Sequence, residues 1–145
     1  MPITSTVKMG FEGLFYIGTA GTTGASLMQN TRDITEGWEH ETGDTTIRGD
    51  STTRPIGTGD VTRINYSLEC TVLYDTADTL VQDLIDAAAA GEAVAVRTKA
   101  YASGKGVDAD ATCAASRPMP LNGEQVITFT FTLNRGHGRA PQLNI

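Results

Sequence analysis

Two histidines, two cysteines and a run of carboxylates are the side chains from which this sequence could build catalysis or metal binding. His40 and His137 sit in turn-rich segments, and neither has a partner ligand at a regular metal-binding spacing. Each reads as an ordinary exposed loop residue. Cys70 and Cys113 make no Cys-x-x-Cys pair and no disulfide framework. Cys70 falls on the apolar side of a strand pattern, where a thiol is a small core residue. Glu36, Glu39, Glu41 and Asp44 are close in sequence but lack the Asp-x-Asp-x-Asp-Gly spacing that surrounds calcium with oxygens, so they read as a solvated charged loop. The stretch GTAGTTGAS has glycines but no lysine and follows no strand-to-helix pattern, which makes it a flexible loop rather than a phosphate cradle. Arg48-Gly49-Asp50 spells an adhesion tripeptide, a match of only three residues that chance supplies often. No nucleophile elbow or P-loop is present, and no acid, base and nucleophile converge. The expected catalytic, metal-binding and cofactor-binding sets are therefore all empty.

With chemistry absent, the elements themselves carry the signal. A length of 145 residues suits one domain, expected over 1–145. Sixteen glycines and abundant threonine favour strands and turns. The net charge of −6, with no basic run, excludes tight nucleic-acid binding through phosphate neutralisation, while contact with DNA that must not stick is still allowed. Residues 1–27 contain Lys8 and Glu12 and no apolar run of signal-peptide length, so no secretion signal is expected. No segment approaches the roughly 18 apolar residues of a membrane span, and no membrane partner is expected.

The strongest pattern is VTRINYSLECTVLYD, residues 61–75, which places Ile64, Tyr66, Leu68, Cys70, Val72 and Tyr74 on one face and Arg63, Asn65, Ser67, Glu69 and Thr71 on the other. Fifteen extended residues span roughly 45 Å, far more than the usual strand of about 5–6 residues. Part of it should serve a neighbour. VITFTFTLN alternates as strictly, with Ile127, Phe129, Phe131 and Leu133 opposed to Thr128, Thr130 and Thr132. Further strands are expected in FEGLFYIGTA, SLMQNTRDITEGWEHE, AVAVRTKAYA and ATCAAS, with SGKGVDAD as a turn. DTADTLVQDLIDAAAAGE is the one helix, with Leu80, Val81, Leu84, Ile85 and Ala88 at helical spacing, Asp75 or Thr76 as its cap and Gly91 as its stop. Residues 1–10 read as an N-terminal arm, 37–60 as a long interaction loop and 135–145 as a mobile C-terminal tail. Strands on both sides of a single helix predict a mainly β fold, a β-sandwich or open barrel with one flanking α-helix and a long protruding loop. The long polar strand faces, rich in Thr, Ser and Asn with little Lys to block lateral pairing, invite closure of several copies into a ring.

Taken together, FEGLFYIG, TRDIT, GDTTIRGD, RINYSLECTVLY, TADTLVQDLIDAAAAG and PLNGEQVITFTFTLN resemble, in order and character, the tail tube proteins of tailed bacteriophages, which are related in fold to the tube proteins of contractile injection systems. The resemblance implies hexameric rings that stack into a hollow tube in the virion tail, assembled in the host cytoplasm. It implies self-association, tail partners such as tape measure and terminator proteins, and genomic DNA that passes through during ejection without sequence-specific binding. The lumen-facing candidates are Asn65, Ser67, Glu69 and Thr71, or the row Thr128, Thr130 and Thr132. The inter-subunit loop candidates are Glu41, Asp44, Thr45, Thr46, Arg48, Asp50 and Arg54. Six copies at −6 each would carry −36 per ring, a charge that repels phosphate. The competing expectation is a non-catalytic binding module, such as a capsid decoration or adhesin domain, gripping a partner with the 37–60 loop. A small enzyme is the weakest alternative.

Overall fold

Wherever apolar and polar residues alternate, the chain is extended. In the computed structural model, which describes residues 6–50 and 54–145, seven strands form: β1 (Leu14–Thr19), β2 (Ser26–Leu27), β3 (Thr31–Asp44), β4 (Gly59–Leu73), β5 (Ala93–Lys99), β6 (Asp108–Ser116) and β7 (Val126–Asn134). Helix α1 (Thr79–Ala90) joins β4 to β5. Residues 1–5 of the expected arm and 51–53 of the expected loop lie outside the described residues.

All seven strands are antiparallel members of one sheet, in the order β2-β1-β5-β6-β7-β4-β3. The sheet is rolled into an open barrel. Phe15 on β1 and Phe131 on β7 have ring centroids 5.5 Å apart, although β5 and β6 lie between their strands. In a flat sheet three strand steps would separate them by about 14 Å. Rolling also brings the two extremes of the sheet together. β2 and β3 are joined by Met28, Gln29 and Asn30 alone, so Leu27 and Thr31 are at most roughly 14 Å apart. Within that link the Met28 N–H bonds Phe15 O at 2.9 Å on one side, and Asn30 O accepts from the Leu73 N–H at 3.0 Å on the other.

The barrel interior is one apolar cluster: Phe15, Ile17, Leu68, Cys70, Val72, Val96, Ile127, Phe129 and Phe131 from the sheet, closed by Val81, Leu84 and Ala87 of α1. The register stacks these side chains, with Leu68 opposite Phe131, Cys70 opposite Phe129 and Val72 opposite Ile127. Helix α1 starts one turn later than its sequence suggests. Its cap is Asp78, whose carboxylate accepts from the Leu80 N–H, while Asp75 caps the preceding turn by accepting from the Ala77 N–H. Asn30 donates to the second oxygen of Asp78 at 2.7 Å and ties the link to the helix. Gly91 ends the helix in the left-handed region at φ 70°, where a side chain is disfavoured. Gly106 is required by proximity, since a Cβ there would lie 1.8 Å from Thr98 O.

Three expectations are corrected. The segment 37–44 is not loop: β3 runs on to Asp44 and pairs with β4 as one long hairpin, leaving a shorter connection at its tip. SGKGVDAD is turn only in its first part, because β6 begins at Asp108. The tail is not loose. Gln142 exchanges two backbone hydrogen bonds of 2.9 Å with Asp108, and Ile145 exchanges bonds of 2.9 and 3.1 Å with Gly106.

Candidate assembly surface

The two rows offered as alternative lumen candidates lie on one face. Glu69 is opposite Thr130 and Thr71 opposite Thr128 across the β4–β7 ladder, and β6 adds Thr112, Ala114 and Ser116 opposite Thr132, Thr130 and Thr128. On the far side β3 contributes Thr35, Gly37 and Glu39 opposite Glu69, Ser67 and Asn65. The result is a four-strand surface, β6-β7-β4-β3, turned away from the core and made of Thr, Ser, Asn and small residues with the carboxylates Glu39 and Glu69. Ser67, Glu69, Thr130 and Thr132 are exposed and Asn65, Thr71 and Thr128 half-buried. Arg63, at the end of the β4 row, faces Glu41 with 4.0 Å between charged atoms. Nothing else on β4, β6 or β7 along this stretch of the face is cationic.

Beyond the core the hairpin continues unsupported. From Gly59 to Ser67 β4 has no buried residue, and β3 has none in its whole length. Nine residues make roughly 30 Å of ribbon. Its core-side face carries Trp38 against Tyr66, ring centroids 5.7 Å apart, followed by His40 opposite Ile64. The Tyr66 hydroxyl donates to Glu36 at 2.9 Å, and burial together with that carboxylate pushes it far above the usual phenol range.

The loop candidates fall into two groups. Glu41 is a strand residue held by Asn65 Nδ2 at 3.3 Å, and Asp44 ends the strand. The Thr46 N–H, 2.9 Å away, keeps Asp44 below the ordinary carboxylate range. Thr45 and Thr46 close the tip through Thr58, the two hydroxyls of Thr45 and Thr58 being 2.8 Å apart. Arg48 opens a 3-10 turn, Arg48–Asp50, and Arg54 is exposed; the side chain of Asp50 lies outside the description. The acids that imitated a calcium loop are strung along a strand, and no cluster of metal-ligating side chains occurs among the described residues. His40 is a strand residue rather than a loop one, and both histidines are exposed. Burial pushes the Cys70 thiol up to about 12, and it raises Cys113 as well.

One polar cluster escaped the sequence reading. Asp110 is fully buried and Asp108 nearly so, both on the outer face of β6. Arg139 from the tail reaches Asp110 through Nη2 at 2.9 Å and Nε at 3.2 Å, and Asp108 through Nη1. Gly21 N–H points at both Asp110 oxygens at 3.0 and 3.1 Å, and the Thr23 hydroxyl donates to Asp108 at 3.0 Å. Burial pulls the Arg139 pKa down, but the two carboxylates outweigh it and leave the guanidinium above its ordinary value. The glycine loop is thus pinned, not flexible, and the cluster fastens loop and tail to the sheet. Alternation of Asp108 and Asp110 with Ala109, Ala111 and Cys113 was the signal that could have revealed it.

No protein-family model matches this sequence, and no curated protein matches it either. Solved structures do. A chain from the tail of an empty GTA particle, determined by helical refinement with C6 symmetry, superposes with TM-score 0.69 at 14% identity, over 96% of this chain and 100% of that one. The chain shares the fold of this tail-particle protein. A chain from the virion of a native gene transfer agent particle superposes with TM-score 0.68 at 14% identity and the same coverage. The long hairpin and the four-strand outer face are therefore parts of a fold shared with chains of these particles. No described helix is long and apolar enough to cross a membrane.

Proposed function

We propose that this chain is a structural, non-enzymatic subunit of a phage-like tail, which self-assembles into stacked hexameric rings around a channel for DNA. The observation that carries the reading is the four-strand sheet whose outer face is uncovered, polar and poor in cations, and whose hairpin outruns its own core. A 14-residue edge strand with no buried residue is an unpaired template for another chain. The strands alternate in direction, so β3 and β6 run oppositely. The free half of β6, Cys113–Ser116, which has no partner on β5, can continue the ladder beside β3 of the next copy. Six such sheets make twenty-four strands, a cylinder about 37 Å across at about 4.8 Å per strand. Its inner wall would be the threonine face, with Asn65, Ser67, Glu69, Thr71, Thr128, Thr130 and Thr132 lining the channel. Hydroxyls and carboxylates, with Arg63 the one cation of the β4 row and Glu41 beside it, give phosphates little to release counterions against, so DNA slides. The hairpin tip, with Thr45, Thr46, Arg48 and Arg54, would reach a neighbouring subunit or ring. Tape measure and terminator proteins would be its further tail partners, and the host cytoplasm its place of assembly.

Size-exclusion chromatography with negative-stain microscopy of the purified chain tests this. Rings or tubes that grow with concentration are expected. A monomer at every concentration would favour the binding-module alternative.

A further inference from the structure

The loop from β6 to β7 carries Leu121, 99% exposed and the most exposed large apolar side chain described, and Met119, 64% exposed. Pro118 and Pro120 stiffen the segment around Met119, so little freedom is lost when it docks. At the other edge of the four-strand sheet, a groove of about 670 Å³ opens along the barrel seam. Leu27, Met28, Ile34 and Trp38, with Phe11 and Leu14, supply its apolar lining, and Arg32, Lys99 and Glu36 are its charges. No residue from the chain's own 117–121 loop lines it.

The ladder register puts loop and groove at one level. Ser116, the last residue of β6, is opposite Thr128, which is opposite Thr71. The neighbours of Thr71, Cys70 and Val72, are opposite Ile34 and Thr31. The loop just past Ser116 is therefore level with the start of β3 and the Met28–Asn30 link, where the groove lies. Glu124, beyond the loop, can answer the two groove cations Arg32 and Lys99, and Arg117 the single groove acid Glu36.

We propose that the Arg117–Leu121 loop of a second copy seats in this seam groove, with Leu121 and Met119 against Leu27, Met28, Ile34 and Trp38. This contact rests on the tube reading and names the lateral joint within it. Set β6 of one copy beside β3 of the next, and the knob of the first arrives at the groove of the second. Such a contact is heterologous and propagates around a ring.

Cysteine pairing tests it, since both native thiols are buried. Full-length Leu121→Cys chains mixed with full-length Gln29→Cys chains should form a heterotypic disulfide in the assembled fraction. Leu121→Cys with Asp83→Cys, on the exposed side of α1, should not. Leu121→Asp, at a position too exposed to affect folding, should raise the concentration needed for assembly roughly ten- to a hundred-fold. Tubes that form without the Leu121–Gln29 crosslink, or an unchanged assembly threshold in Leu121→Asp, overturn this contact and leave the tube reading intact. A wild-type chain that never assembles overturns both.

Discussion

A carboxylate removed from water must have its oxygens answered by donors, and Asp110 is fully buried. Its donors come from the two segments that the sequence presents as loosest, the Gly21 turn and the tail. Removing Arg139 would strand two buried negative charges. Arg139→Ala is expected to destabilise the chain by about 3 kcal/mol, read from urea denaturation, with Arg139→Lys recovering only part because it keeps the charge and loses the fork. Glu69 presents the opposite situation, an exposed carboxylate opposite Thr130 with no structural duty. Glu69→Lys should leave tubes intact in micrographs and slow DNA ejection from particles that carry it. Ejection at the wild-type rate would place Glu69 away from the channel.

Legibility differed from element to element for physical reasons. β7 is legible with its bounds, Val126–Asn134, because every second residue is apolar and packs on one core. The buried half of β4 is legible for the same reason. The far part of β3 is not legible, because Glu39, Glu41, Thr42, Gly43 and Asp44 carry no core pattern, and nothing is buried along that strand to impose one. The acidic start of β6 is hidden in the sequence, because Asp108 and Asp110 are turn residues by propensity and are held in a strand by a distant arginine. The hairpin has its own prediction. Replacing residues 46–57 with Asn-Gly, a pair suited to a tight hairpin turn, should leave a cooperatively folding monomer, because no described residue in that span belongs to the core. It should abolish tubes under the microscope, and persistent tubes would show that the tip is dispensable.

At the scale of the molecule, a single rolled sheet does two jobs that a sandwich divides between layers. Its interior face holds the chain together, and its outer face and edges stay available. Such an opening carries a hazard, for a strand can also pair with its own twin about a two-fold axis and end there as a dead dimer. β3 holds Asp33, Glu36, Glu39, Glu41 and Asp44 against the lone Arg32, His40 aside. Two such strands laid side by side would set carboxylate against carboxylate, which antiparallel pairing penalises. Residues Cys113–Ser116 bear no charge and meet no such repulsion. The acidity of β3 thereby acts as a gatekeeper, leaving the solitary molecule unattractive to its own two-fold contact while the proposed one-directional joint stays permitted.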